Sequence, residues 1–291
     1  LMNLPGKHLL AAMALFLMSV PACAASPPPT GDLAFDFENW SGPAVPVQVF
    51  VPEGADRDAS IVIVMHGASR DLPRYYADWR AAAVEQGFIV AVPYFSKDDF
   101  RGSARYNLGH VFDPETRESR SPHTWTFAAI EPLFDALVEQ LGGRQTDYTL
   151  FGHSAGSQFV HRFLYYVPDA RASRAIVANA GWYTMPDFGV AYPYGLAGSG
   201  VPESVLAGYF GRDIVVLLGD ADTVREDEDL RKTPEAELQG RHRFDRGHTF
   251  FRVARARAAE LGVDFRWRLQ VVPGATHSNA EMTPAAALLV E

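Results

Sequence analysis

The feature that most constrains the fold of this chain is a serine flanked by glycines at a corner between a strand and a helix. The apolar run 148–151 leads into Gly152-His153-Ser154-Ala155-Gly156, which has the pattern Gly-x-Ser-x-Gly. A very tight strand-to-helix turn needs glycine two positions either side of the serine, because Cβ atoms there would clash. The helix that follows directs free N–H groups and its positive dipole end at any anion beside the serine. The pattern predicts a nucleophilic Ser154, although a glycine-rich turn can also contain it by chance.

Length and charge limit the classes of protein that fit. The chain has 291 residues, of which 47% are hydrophobic, and this favours one large domain with a sizeable core. Its net charge is −9 and its pI is near 5.5, whereas nucleic acids and anionic polymers need a basic surface. We therefore expect no nucleic-acid partner and a neutral or apolar substrate.

The N-terminal stretch is typical of an export signal. Lys7 and His8 precede an apolar run at 9–20, and the small residues around Cys23 favour cleavage after Ala24. We expect a signal peptide at 1–24, a proline-rich linker at 25–32 and a catalytic domain at 33–291, in a secreted or periplasmic protein. Cys23 also fits a lipoprotein box, so membrane attachment would require its lipidation.

The order of apolar runs predicts the fold class. Two alternating segments come first, and continuous apolar strands then alternate with helical patterns. This order is typical of an α/β fold with a mostly parallel central sheet and helices on both faces. Active sites of such sheets lie at the carboxyl ends of the strands, where we place four groups: His66-Gly67, Ser154, Asp222 and His277.

These residues resemble the α/β-hydrolase superfamily, and within it the secreted serine esterases and polyester depolymerase-like hydrolases. The resemblance runs from about residue 45 to the end and includes the order serine, acid, histidine. It implies that Ser154 is the nucleophile, His277 the general base and Asp222 the residue that orients His277. Asp220, two residues from Asp222, is the alternative acid.

The resemblance also implies the oxyanion hole and the absence of a cofactor. Backbone N–H groups of Ala155 and Ala68 would stabilise the transition-state anion, with Gly67 as the alternative to Ala68 because His66-Gly67-Ala68-Ser69 lacks a run of glycines. We expect His66 to pack against this loop. His153 would fill the position before Ser154, and His110, His242 and His248 could be ordinary surface histidines.

The remaining motifs are weaker. The segment 182–212 is rich in aromatic residues, so Trp182 and Tyr183 would bind substrate under a partial cap, or else simply pack beneath a long loop. No His-x-x-x-His or Cys-x-x-Cys pattern favours a metal, and the acidic run 226–229 is expected to be a solvated surface.

The sequence as a whole favours a serine hydrolase that cleaves carboxylic esters, including those of a polymer, through an acyl-enzyme. A peptidase or amidase would use the same triad. A binding protein on an inactive hydrolase scaffold is the alternative from another class, and the presence of Ser154, Asp222 and His277 argues against it.

Overall fold

The computed structural model describes residues 28–290. The predicted signal peptide at 1–24, the alternative at Cys23 and the first part of the 25–32 linker lie outside this range. The first strand begins at Gly31, so the linker is shorter at its C-terminal end than predicted. No helix within 28–290 is long and apolar enough to span a membrane.

Eight strands form one sheet in the order β1-β2-β4-β3-β5-β6-β7-β8. The pairs β1–β2 and β2–β4 are antiparallel and all the others are parallel, which confirms the predicted sheet with an antiparallel entry. The strands are β1 (Gly31–Phe37), β2 (Val45–Val51), β3 (Ile61–Met65), β4 (Ile89–Pro93), β5 (Tyr148–His153), β6 (Ala172–Ala178), β7 (Asp213–Gly219) and β8 (Arg268–Val272).

Helices cover both faces of this sheet. They are α1 (Leu72–Gln86), α2 (Gly102–Arg105), α3 (Ile130–Leu141), α4 (Ala155–Tyr166), α5 (Val205–Phe210), α6 (Pro234–Gln239), α7 (Arg243–Leu261) and α8 (Asn279–Ala287). Apolar residues of α1 and α8 pack on one face, and those of α3, α4, α5 and α7 on the other. Successive strand residues point to opposite faces, so Val62 and Val64 belong to the first layer and Ile61 and Ile63 to the second.

Two boundaries differ from the sequence prediction. The helical pattern of the sequence predicts a helix near 249–261, whereas α7 already begins at Arg243. Its first turn is charged, and His242 caps it by accepting from the Asp245 N–H at 3.3 Å, so capping starts the helix where apolar periodicity is absent. The last apolar run of the sequence predicts a strand over 265–272, but β8 begins only at Arg268, and Phe265 packs against Phe210 and Trp267 outside the strand ladder.

Candidate active site

Ser154 occupies a strained corner between β5 and α4. Its φ of 57° and ψ of −116° are unusual for a residue with a side chain, and the fold enforces them through close backbone contacts. A Cβ at Gly152 would lie 2.3 Å from the Gly156 carbonyl oxygen, and a Cβ at Gly156 would lie 1.9 Å from that of Met65. Only glycine fits at these two positions, as the sequence predicts. The corner lifts Ser154 above the carboxyl edge of the sheet.

The structure brings Ser154, His277 and Asp222 together. Ser154 Oγ lies 3.0 Å from His277 Nε2, and His277 Nδ1 lies 2.7 Å from Asp222 Oδ2. The three residues follow β5, β8 and β7, whose carboxyl ends meet at one edge. Asp222 is only 2% exposed, so the hydrogen bond from the imidazole to this carboxylate is shielded from water. This geometry suits proton transfer from a serine to a histidine held in one tautomer.

Asp220 lies in a different environment from Asp222. It is exposed, and its Oδ1 accepts a hydrogen bond from the Gly274 backbone N–H at 2.7 Å. This contact ties the turn after β7 to the turn after β8. Asp220 therefore braces the loop that carries His277, while Asp222 contacts the imidazole itself.

Arg243, the first residue of α7, lies on the far side of Asp222 from His277. Its Nη1 is 3.4 Å from Asp222 Oδ1 and 2.6 Å from Asp227 Oδ2, and the side chain is 2% exposed. Sequence reasoning missed this residue because it lies in a charged stretch, 225–246, that carries no recognisable motif. The acidic run is also more than a solvated surface, since Asp227 pairs with Arg243 and Glu228 and Asp229 border the cavity.

Two further side chains fix the loop that carries His277. Asn179, at the end of β6, donates to the Thr276 carbonyl at 3.2 Å and accepts from the Gly219 N–H at 2.9 Å. Glu281 accepts from both the backbone N–H and the hydroxyl of Thr276, at 2.6 and 2.8 Å. A polar residue at the end of an apolar strand, such as Asn179, was the available sequence signal.

The predicted oxyanion residues border the same cavity as Ser154. Ala68, Gly67 and Ala155 all line it, and the Ala155 N–H belongs to the first turn of α4, whose amides have no partner within the helix. The Cβ of a residue at 67 would lie 3.5 Å from Ser154 Cβ, so this loop approaches the serine closely. The alternative between Ala68 and Gly67 stays open.

Buried histidines support the loop and the corner. His66 is fully buried, accepts from the Phe95 N–H at 3.1 Å, and has a pKa lowered to about 3, mainly by burial and then by Arg70. His153 Nδ1 lies 2.8 Å from Tyr75 Oη, and its ring packs 4.7 Å from that of His277. Burial, followed by the charges of His277 and Arg243, lowers the pKa of His153 well below its usual value. Both rings are therefore neutral and have the packing positions expected of them.

A cavity of about 750 Å³ opens above Ser154 and His277. Its charge is opposite to that of the whole protein, because six cationic side chains among the described residues line it against two carboxylates, Glu228 and Asp229, although Arg243 is already paired with Asp222 and Asp227. The cations are Arg70, Arg74, Lys97, Arg101, Arg231 and Arg243. Local potential rather than net charge determines which ligands a cleft attracts. In the described residues, no group of three or more His, Cys, Asp or Glu side chains is arranged to hold a metal.

The two predicted substrate-binding aromatic residues have different positions. Trp182 lines the cavity, and its ring lies under the guanidinium groups of Arg162 and Arg231 at 4.1 and 4.8 Å. Tyr183 does not reach the cavity: it is fully buried and stacks on Phe250 at 4.4 Å. The substrate-binding role expected for Tyr183 is therefore corrected to core packing, because adjacent side chains point to opposite sides of this segment.

Only part of the predicted partial cap at 182–212 lies at the cavity. Its beginning borders the cavity, whereas α5 packs against α4 and α7. The middle of the segment packs on the chain between α2 and α3, where the rings of Tyr192 and Phe112 lie 5.3 Å apart. Among residues 28–290, only Trp182 from the 182–212 stretch lines the cavity.

Comparisons with known proteins support this architecture. No protein-family model and no curated protein matches the sequence. Among solved structures, poly(aspartic acid) hydrolase-1 from Sphingomonas sp. KT-1 is 41% identical, with a TM-score of 0.87 over 90% of this chain and 98% of that one. A poly(3-hydroxybutyrate) depolymerase from Bordetella parapertussis is 32% identical, with a TM-score of 0.84 over 89% of each chain. An S-formylglutathione hydrolase from Agrobacterium tumefaciens shares the fold at 16% identity, with a TM-score of 0.55 over 88% of this chain and 90% of that one.

Proposed function

This chain belongs to the α/β-hydrolase superfamily, in its depolymerase-like branch, and from this we propose that it is a serine hydrolase that cleaves a carboxylate-bearing polymer. The observation that carries the proposal is the hydrogen-bonded series Ser154–His277–Asp222 at the base of a cavity lined by six cations. The series supports the reaction type, and the cations support the substrate class.

In the proposed reaction, Ser154 Oγ attacks the carbonyl carbon of the scissile bond while His277 Nε2 takes its proton. The N–H groups of Ala155 and of Ala68 or Gly67 stabilise the oxyanion of the tetrahedral intermediate. The C–O or C–N bond then breaks, and the leaving group takes the proton from His277. A water molecule, deprotonated by His277, attacks the acyl-enzyme and releases the acid and free Ser154.

The cationic cavity supports an anionic substrate. From net charge alone we expected a neutral or apolar ester, but the lining places positive charge where the substrate must lie. The relative that is 41% identical is described as a hydrolase of poly(aspartic acid), which is a polyamide with one carboxylate per residue. We therefore propose a polycarboxylate substrate, and cleavage of an amide or ester bond within its main chain.

Cleavage of a neutral polyester is the second candidate. The relative that is 32% identical is described as a poly(3-hydroxybutyrate) depolymerase, and ester hydrolysis uses the same nucleophile, base and oxyanion donors. The two candidates differ in their dependence on salt. Attraction of a polyanion to exposed Arg74, Lys97 and Arg101 weakens at high ionic strength, whereas binding of a neutral chain does not.

The experiment compares poly(aspartic acid), poly(3-hydroxybutyrate) and p-nitrophenyl acetate as substrates of the mature protein. Ser154→Ala should abolish turnover of every substrate that the protein cleaves, whereas Ser204→Ala, an exposed serine at the start of α5 without a capping hydrogen bond, should not. Cleavage of poly(aspartic acid) that falls with added salt supports the polyanion. Cleavage of poly(3-hydroxybutyrate) alone would overturn the proposed polyanionic substrate in favour of a neutral polyester. Failure of a fluorophosphonate to label Ser154 would overturn the proposal that the protein is a serine hydrolase.

We further propose that the protein acts outside the cytoplasm, because a polymer does not cross a membrane and residues 1–24 fit a signal peptide. N-terminal sequencing of the mature protein and cell fractionation test this. Cleavage after Ala24 with recovery outside the cytoplasm is the expected result. Retention of the intact N-terminus in the cytoplasm would contradict it, and lipid attached to Cys23 would support the anchored alternative.

A further inference from the structure

Within residues 28–290, two of the buried arginines have no acidic partner. Five arginines are buried in the described part of the chain: Arg70, Arg162, Arg174, Arg243 and Arg246. Three of them pair with carboxylates: Arg174 with Asp213, Arg243 with both Asp222 and Asp227, and Arg246 with Glu237. Arg70 and Arg162 form no ion pair within residues 28–290. An unpaired buried charge is costly, and both of these arginines adjoin the cavity, so a ligand is the natural source of the missing negative charge.

Arg162 is the more informative of the two, because all of its hydrogen-bond partners are neutral and its charged neighbour across the Trp182 ring, Arg231, is also a cation. It is fully buried on α4, two turns beyond Ser154, and donates to Thr184 Oγ1 at 2.7 Å and to the Asn107 carbonyl at 3.1 Å. Its Nη2 has no hydrogen-bond partner among the residues that the structure describes. The face of Trp182, 4.1 Å away, offsets only part of the charge. Positive charge is therefore held just behind the cavity wall.

Gln158 lies between Arg162 and the cavity, one helical turn after Ser154. Its Oε1 accepts from Arg162 Nη1 at 3.3 Å and from Asn107 Nδ2 at 2.9 Å. A guanidinium can only donate, so the amide atom that faces it must be the oxygen. The Gln158 NH₂ group therefore points the other way, towards Gly181, where an added Cβ would lie 3.2 Å from Nε2. Asn107, Gln158 and Gly181 all line the cavity.

We infer that the Gln158 NH₂ group, oriented by Asn107 and Arg162, is a subsite for a carboxylate of the substrate beside Ser154. The carboxylate accepts a hydrogen bond from Gln158 Nε2. It also becomes the counter-ion of Arg162, with the Gln158 side chain between the two charges. The inference rests on the proposed function for the identity of the ligand, since a polycarboxylate presents such a group near each scissile bond. It assigns to Gln158 a role in substrate selection rather than in bond cleavage.

The variant Gln158→Glu tests the subsite directly. A glutamate retains both hydrogen bonds to its Oε1 and gives Arg162 an internal counter-ion, so the protein should fold with an unchanged or higher Tm. Its second oxygen would repel a carboxylate in the cavity. Since a hydrogen bond to a charged group contributes about 1.5–3 kcal/mol, we expect kcat/KM on poly(aspartic acid) to fall about 10- to 100-fold. The new charge also lies one helical turn from Ser154, so the quantity to compare is the ratio of kcat/KM on poly(aspartic acid) to that on neutral p-nitrophenyl acetate, which we expect to fall about 10-fold or more.

Gln158→Met removes the NH₂ donors and also the Oε1 acceptor of Arg162 and Asn107, so we expect a lower Tm as well as weaker binding of an anionic substrate than of a neutral one. Gln140→Met is the matched control, because Gln140 is exposed on α3 and borders a different pocket. Binding of succinate and of uncharged succinamide to Ser154→Ala, with and without Gln158→Glu, gives a readout independent of catalysis. Loss of succinate binding alone supports the subsite.

Equal effects of Gln158→Glu on succinate and succinamide, or no effect on either, would overturn the subsite even if Ser154 is labelled by a fluorophosphonate. Conversely, absence of labelling would refute the proposed hydrolase, while calorimetry with succinate would still decide whether Gln158 binds a carboxylate. The two failures are therefore distinguishable.

Discussion

Replacement of Asp222 by asparagine tests the proposed triad most sharply, because Arg243 decides how the new amide is oriented. Arg243 Nη1 lies 3.4 Å from Asp222 Oδ1 and can only donate, so the asparagine oxygen will face Arg243. Its NH₂ group will then face His277 Nδ1, which is 2.7 Å from Oδ2 in the native protein. His277 must accept at Nδ1 and carry its proton on Nε2, where it cannot take the proton of Ser154.

The expected loss follows from the same contacts. In the proposed reaction, the carboxylate of Asp222 would stabilise the imidazolium that forms during attack, and this carboxylate is 2% exposed. Two unit charges about 4 Å apart at an effective dielectric constant of about 20 interact by about 4 kcal/mol. That energy corresponds to about 10³-fold in rate, and the wrong tautomer should bring the total near 10⁴-fold, as in other Ser-His-Asp triads.

The assay is kcat/KM for p-nitrophenyl acetate, together with the rate at which a fluorophosphonate labels Ser154. Asp220→Asn is the matched control, since an asparagine oxygen can still accept from the Gly274 N–H. We expect Asp220→Asn to retain activity to within about tenfold. Comparable activity of Asp222→Asn and the native protein, or an equal loss in Asp220→Asn, would refute the assignment of Asp222 as the acid.

Three further predictions concern the scaffold. Gly156→Ala should destabilise the protein by about 3 kcal/mol or more in thermal unfolding, because its Cβ would lie 1.9 Å from the Met65 oxygen; Gly208→Ala, with open space around it in α5, should be neutral or slightly stabilising. Tyr75→Phe should lower the free energy of unfolding in urea by about 1–3 kcal/mol, since it leaves His153 Nδ1 without its partner; an unchanged midpoint would contradict this. Stability should fall as the pH decreases below 6.5, the usual histidine pKa, towards about 3, because unfolded His66 binds a proton that the buried ring excludes, and His66→Gln should reduce this dependence in urea titrations at different pH values.

The elements closest to the nucleophile could be predicted from sequence because their signals are local. Gly152 and Gly156 have backbone roles that follow from the turn alone, and the structure supplies the carbonyl groups that exclude any larger residue. Strands β3 to β7 are rich in apolar residues and buried along most of their length, so the parallel sheet could also be predicted. The positions of Asp222 and His277 near Ser154 then followed from the rule that strand ends meet at one edge.

Side chains that act through distant partners could not be identified in this way. Arg243 carried no signal in its charged stretch because its partners, Asp222 and Asp227, lie 21 and 16 residues away in sequence. Tyr183 looked like a substrate contact because it adjoins Trp182, but only the path of the chain decides which of two neighbours faces a cavity. Gln158 belongs to no recognisable sequence motif. Its orientation depends on contacts with both Arg162 and Asn107, which form only in the folded chain.

The sequence by itself determined the sheet, the corner at Ser154 and the order of the three proposed catalytic residues, since each depends on short-range sterics or on hydrophobic periodicity. Only the tertiary structure decided the sign of charge around the nucleophile. A chain with a net charge of −9 folds so that cations from several separate segments converge on one cavity. Net charge is a sum over the chain, whereas the potential in a cleft depends on distances, which exist only once the chain is folded.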